Sequence, residues 1–190
     1  GKGGKYVRVN TGETGLEFAT VSGGSASPDT LITWGPLDAE YPASYYATLD
    51  TRNEHVVLDF DPGYDEIVLF SGVLPVRYAG GGLTLEVWFA MTSATSGNVV
   101  WCAQIERVGE EVQDLDSDGF ASAKSVTVAA SGTCGYLKKA TLTFSSGAEM
   151  DSLAAGEPFR VKVYRDANNG SDTAKGDAEL KHVHLKETAS

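Results

Sequence analysis

Leu83-Thr84-Leu85-Glu86-Val87-Trp88-Phe89 places an apolar residue at every second position. Successive side chains of a strand leave opposite faces, so Leu83, Leu85, Val87 and Phe89 share one side. Thr84, Glu86 and Trp88 share the other. The small-polar stretch Thr92 to Gly97 reads as a loop, after which Val99-Val100-Trp101-Cys102-Ala103-Gln104-Ile105 returns as a second strand.

The same pattern spreads outward from this pair. Val56-Val57-Leu58-Asp59-Phe60 runs into a Pro62-Gly63 turn and then Ile67-Val68-Leu69-Phe70. Downstream, Ser125 to Val128 is a short strand, and Leu137 to Phe144 carries Ala140, Leu142 and Phe144 on one face. Phe159, Val161 and Val163 alternate with Arg160, Lys162 and Tyr164, and a last strand covers about Ala178 to Leu185. Ala148 to Leu153 predicts one helical turn, stopped by Gly156. No long stretch has a 3.6-residue period. With 22 glycines punctuating strands at short intervals, the chain reads as all-β, an antiparallel sandwich or barrel.

The opening is separate. Lys5-Tyr6-Val7-Arg8-Val9, a Gly-bounded turn and Leu16-Glu17-Phe18-Ala19 predict a small β-hairpin. Ser22-Gly23-Gly24-Ser25-Ala26-Ser27-Pro28 has linker composition. The expected division is therefore 1–27, an attachment hairpin with its Gly/Ser linker, and 28–190, the sandwich. Gly1 at the first position fits either removal of an initiator Met or a junction to preceding chain.

A chain of 190 residues buries roughly 70% of its unfolded surface, enough for a core without metal or disulfide staples. The net charge of -11 opposes nucleic-acid binding, which draws on Lys and Arg against phosphate. No apolar run reaches the length of a membrane span, so membrane insertion is not expected. Cys102 and Cys134 lie far apart, lack zinc-ligand spacing, and read as two free thiols before one disulfide.

Candidate chemistry is thin. Asp114-Leu115-Asp116-Ser117-Asp118-Gly119 matches the start of a calcium loop, but the twelfth place holds Ser125 and no helix flanks it. Asp114, Asp116 and Asp118 are thus a weak calcium candidate beside the simpler reading of an acidic loop, and no other metal or cofactor site is expected. His182 and His184 project from one strand face without an identifiable third ligand, and His55 stands alone. No serine sits in a G-x-S-x-G elbow. Ala79-Gly80-Gly81-Gly82 lacks the following Lys and leads into a strand, so it reads as a turn and not a phosphate loop. Twenty-six acidic residues make any carboxylate pair uninformative. No catalytic residue is identified, and the chain reads as a non-enzyme.

Aromatic residues are the stronger lead. Trp34, Tyr41, Tyr45 and Tyr46 cluster ahead of the main strands, and Trp88 faces away from the core side. A large ring on the non-core face is covered by a loop, by a neighbouring subunit or by a sugar. Trp88, Tyr6, Phe18, Trp34 and Tyr45 are the candidate subunit, partner or glycan contacts.

Two regions carry a resemblance. Gly3-Gly4-Lys5-Tyr6-Val7-Arg8-Val9-Asn10, ending Gly15-Leu16-Glu17-Phe18, resembles the "G-K-x-L-R-V-N … G-L-E-W/F" element of tailed-phage fibre and other virion proteins. Leu49-Asp50-Thr51-Arg52-Asn53, Leu58-Asp59-Phe60, Gly72-Val73-Leu74-Pro75, Tyr78 to Leu83, Thr92 to Gly97, Ser171-Asp172-Thr173 and Gly176-Asp177-Ala178 are similar to virion-associated domains of trimeric jelly-roll type. The resemblance implies a jelly roll, a homotrimer and a place on the particle exterior. It also implies contact with capsid or tail proteins through the N-terminal segment, and no catalytic residues to carry over. The leading expectation is an outer structural protein of a phage virion, a decoration or fibre module. The alternative is a carbohydrate-binding module or receptor-binding tip recognising host surface glycans.

Overall fold

The computed structural model describes residues 5–9, 16–20, 30–111 and 113–188, the first two stretches by their backbone alone. β1 (Lys5–Val9) and β2 (Leu16–Thr20) pair antiparallel as a two-stranded sheet of their own, with Val7 opposite Phe18. The expected linker and the side chains of Tyr6 and Phe18 lie outside the described residues.

Ten strands follow. They are β3 (Thr30–Trp34), β4 (Thr48–Arg52), β5 (His55–Phe60), β6 (Ile67–Val73), β7 (Leu83–Met91), β8 (Asn98–Arg107), β9 (Lys124–Ala129), β10 (Lys138–Phe144), β11 (Pro158–Arg165) and β12 (Ala178–Glu187). One sheet has the order β10-β7-β12-β5-β4 with β3 also on β12; the other has the order β6-β11-β8-β9. Among the last eight strands, first pairs with last throughout: β5 with β12, β6 with β11, β7 with β10 and β8 with β9. A ribbon folded back at β8–β9 and rolled up gives this nesting, and β7–β12 and β8–β11 then close the two sheets. The fold is an antiparallel jelly-roll-like β-sandwich. No helix among the described residues is long and apolar enough to cross a membrane.

Period-two patterning decides what goes inside. Leu83, Leu85, Val87 and Phe89 are fully buried, as are Trp101, Phe60, Val161 and Val163. Trp101 meets the Phe60 ring edge-on at 4.9 Å and lies 5.3 Å from Phe89, joining β8 to the opposite sheet. Arg165 ends β11 on the same inward side and is also out of solvent. Its guanidinium donates to Asp172 through Nε and Nη2 (3.1 and 2.7 Å) and to the carbonyls of Phe60, Gly176 and Ala174. A buried charge needs such complete pairing, and here it ties the 166–177 loop to β5.

Three details depart from the sequence reading. The helical turn expected over residues 148–153 shrinks to a 3-10 turn at Ala148–Met150, with Asp151 and Ser152 in left-handed conformation (φ 52° and 55°). So short a segment cannot repay helix nucleation, and its conformation follows from burying Met150 and Leu153. Leu137 is half exposed and precedes β10. Glu86, expected outward, does leave the non-core face but is almost inaccessible to solvent, because lysines from both flanking strands close over it.

Candidate functional site

The sequence-derived contact residues separate in the structure. Trp34 is corrected: it lies in the core, stacked on Phe70 at 5.6 Å, and its indole N–H donates to the Ser71 carbonyl at 3.0 Å. Pairing of β3 with β12 turns this ring inward and leaves no face for a partner. Tyr45 is 67% exposed in a left-handed backbone conformation (φ 55°), next to Tyr46, whose ring packs edge-on against Tyr41 at 5.6 Å. Trp88 does face outward and is half buried. Its cover within the chain is local: the Lys139 ammonium sits 5.4 Å above the ring, and His184 lies 6.0 Å away on the neighbouring strand.

The other motifs hold less. The Asp114 carboxylate accepts from the Asp116 backbone N–H and the Ser117 hydroxyl, both at 3.0 Å, while Asp118 accepts from the Gly119 N–H. These acids organise an exposed turn, and among the described residues no group of three His, Cys, Asp or Glu is placed to hold a metal. His182 and His184 share a face with ring centroids 6.1 Å apart. Burial holds both below the usual imidazole range, aided at His182 by Lys181 and His184; at His184 the Glu86 charge opposes it and Lys186 and Lys139 add to it. Cys102 and Cys134 are both free. Burial pushes the Cys102 thiol up to about 11, the opposite of an activated nucleophile. Gly80, in the Gly-rich turn, takes φ +90° in open space.

What the structure assembles is the outer face of the six-stranded sheet. In register across it stand Lys139 on β10, Trp88 on β7 and His182 on β12. One row further along, Ala90 on β7 opposes Glu179 on β12, which opposes Asp59 on β5. Between these rows the pairing of β12 slips at Leu180/His182, making Lys181 the extra residue of a bulge. The ammonium of Lys181 donates to the Val56 carbonyl at 3.1 Å.

A recess of about 320 Å³ opens here. Val57, Ala90 and Leu137 form its apolar part; Arg52, Glu179, Lys181, Asn53 and His55 form the polar part. Arg52 is held from one end. Its Nη1 donates to the Met91 carbonyl (3.0 Å) and to Glu179 (2.5 Å), and Glu179 is almost wholly buried. Gly135 lies against the guanidinium, where an added Cβ would sit 3.1 Å from Nη2. The turn at Asn53-Glu54, both residues at positive φ, sets Arg52 opposite His55 at the mouth.

Two further charged groups frame the face. Burial works to raise Glu86, but hydrogen bonds from Lys139 (2.6 Å) and an ion pair with Lys186 (2.7 Å) outweigh it and hold the carboxyl below its usual range. Asp59 is the reverse case. Burial, then the charges of Glu179, Asp50 and Asp177, push it up to about 6, and its buried Oδ1 has no hydrogen-bond partner among the described residues.

The sequence reading put Trp88 on the non-core face and His182 and His184 together on one strand face, and gave no site role to Arg52, Glu179, Lys181 or Leu137. The bulge at Lys181 and the approach of the 132–137 loop to β4 have no signature in a local pattern.

No family model matches the chain, so the fibre-like pattern of residues 3–18 has no family match behind it. No curated protein matches it in sequence. Among solved structures the chain is similar to the CBM22-1 xylan-binding domain from Paenibacillus barcinonensis Xyn10C, at 10% identity and a TM-score of 0.46, over 86% of this chain and 97% of that one. It is similar also to the carbohydrate-binding module CBM6cm-2 from Cellvibrio mixtus lichenase 5A, at 14% identity and a TM-score of 0.41, over 84% and 99%. A third likeness, at 12% identity and a TM-score of 0.35, is to infectious bursal disease virus Gt strain, over 98% of this chain and 37% of that one. Likenesses this distant assign neither ligand nor activity, and the jelly-roll-like fold stands on the strand pairing itself.

Proposed function

We propose that this chain is a non-catalytic glycan-binding module whose binding face is the outer side of the six-stranded sheet. The observation that carries the reading is the recess between Arg52 and Lys181, where an apolar floor meets polar groups already fixed by the protein. A sugar presents an apolar C–H face and a rim of hydroxyls, so it needs both kinds of surface at once. Arg52 and Glu179 are ordered before any ligand arrives, which lowers the entropic cost of binding. Among the described residues no Ser, Thr or Cys lines the recess, and Glu179 is committed to Arg52.

A glycan array probed with the purified chain tests this, paired with Leu137→Asp. Leu137 is half exposed, so the substitution should leave folding intact while placing charge in the apolar floor. Binding by the parent and loss in the variant are expected. Failure of the parent to bind any glycan, or equal binding by both proteins, would count against the proposal.

A position on the exterior of a phage particle, as a homotrimer anchored to capsid or tail proteins by the hairpin, is a second reading. It is favoured by the fibre-like pattern of β1 and β2 and by their forming a sheet separate from the sandwich. Solution mass at micromolar concentration addresses the trimer, with a monomer as the adverse result.

A further inference from the structure

Although the protein carries a net charge of -11, the recess does not share that sign. Its ionisable side chains are Arg52 and Lys181 against Glu179 alone, with His55 at the mouth. Arg52 spends Nη1 on Glu179 and the backbone carbonyls of Met91 and Thr92. Among the described residues no oxygen accepts from its Nε or Nη2; the guanidinium also hydrogen-bonds the Cys134 thiol, and Gly135 lies beside it. Nε and Nη2 together form the edge of a guanidinium that takes a carboxylate through two parallel hydrogen bonds. Lys181, displaced by the bulge, lines the same recess, and no ion pair to it is found among the described residues. Its single bond to the Val56 carbonyl leaves two ammonium hydrogens for a ligand.

Together with the apolar floor of Val57, Ala90 and Leu137, the geometry points to a carboxylate-bearing sugar, a uronate unit of an acidic polysaccharide, as the ligand of this recess. The inference rests on the reading of the recess as a glycan site. The sugar ring lies on the apolar floor, its carboxylate meets the open edge of Arg52, and Lys181 supplies the second positive charge.

The test is binding of the full chain to four polymers at about 0.15 M salt, where long-range repulsion is screened. These are polygalacturonate, its fully methyl-esterified form, dextran sulfate and uncharged dextran. Polygalacturonate should bind, and esterification should weaken binding roughly tenfold or more, the scale of a lost charge-assisted contact. Lys181→Gln should produce a similar loss, with an unchanged melting curve certifying the fold. Arg52→Gln should do the same, but it also removes the partner of buried Glu179, so Lys181→Gln is the deciding variant.

Equal binding of the esterified or uncharged polymer would overturn the uronate assignment while leaving a glycan site. Equal binding of dextran sulfate would overturn the carboxylate-specific geometry. Binding of none of the four, together with a blank glycan array, would overturn both this inference and the functional reading beneath it.

Discussion

Arg165 and Asp172 form a two-bond ion pair with both side chains removed from solvent, and the remaining guanidinium hydrogens meet three backbone carbonyls. Asp172 in turn accepts the Val100 N–H at 2.9 Å. The pair thus joins β11, β8, β5 and the loop before β12. Replacing Arg165 by Ala strands a buried carboxylate and should cost about 3–5 kcal/mol in urea unfolding. The double replacement Arg165→Met with Asp172→Leu should recover part of that loss. A single-variant cost below about 1 kcal/mol would show that the pair is not what holds the loop.

Trp101 sits where Phe60 and Phe89 close on it from the opposite sheet. Trp101→Ala should destabilise by about 3–5 kcal/mol, since the cavity forms where neighbouring strands cannot collapse. Leu49 on the outer strand β4 is 47% exposed, and Leu49→Ser should change stability by no more than about 0.5 kcal/mol. Comparable losses at the two positions would contradict the assigned core.

The Asp59 carboxyl ordinarily titrates near 3.8 and stands at about 6 in the folded chain. Between these values the native state binds more protons than the unfolded one, so this group's contribution to stability falls as pH rises through that window. His182 and His184 act with the opposite sign. Their folded pKa values are depressed, so their contribution is present above the unfolded value of 6.5 and is lost as pH falls below it. The two effects are separated by difference. Melting temperatures of Asp59→Asn and the parent should nearly coincide near pH 4, with the variant pulling ahead as pH approaches 7. A gap independent of pH would mean that Asp59 does not titrate in this window.

Cys134 is exposed and Cys102 is buried. A thiol reagent at pH 8 should therefore modify one cysteine per native chain and two per chain in denaturant. Burial and a thiol raised to about 11 keep Cys102 silent until unfolding. Rapid labelling of both sites in the native protein would contradict the placement of β8.

The residues of the sandwich announce themselves unevenly. Leu83 to Phe89 and Phe159 to Val163 reveal strand identity and core face because period two is a property of the local backbone, independent of which strand lies alongside. The Asn53-Glu54 turn gives a weaker signal, since neither residue is Gly, and β4 is exposed along nearly its whole length. Trp34 and Trp88 show where local reading stops. Both lie on alternating strands, yet β3 docks on β12 with its ring inward while Trp88 keeps the outer face.

By itself, the sequence determined that this is an all-β protein, which side of each strong strand is buried, and that its turns are Gly-rich and its charge acidic. These follow from side-chain alternation and turn chemistry, which act over a few residues. Only the tertiary structure decided that β5 meets β12 and β6 meets β11, pairings between strands about a hundred residues apart. The same long-range pairing brought Arg52 to Glu179 and raised Lys181 out of register beside them. Such contacts depend on how two sheets roll together, and no stretch of neighbouring residues encodes them.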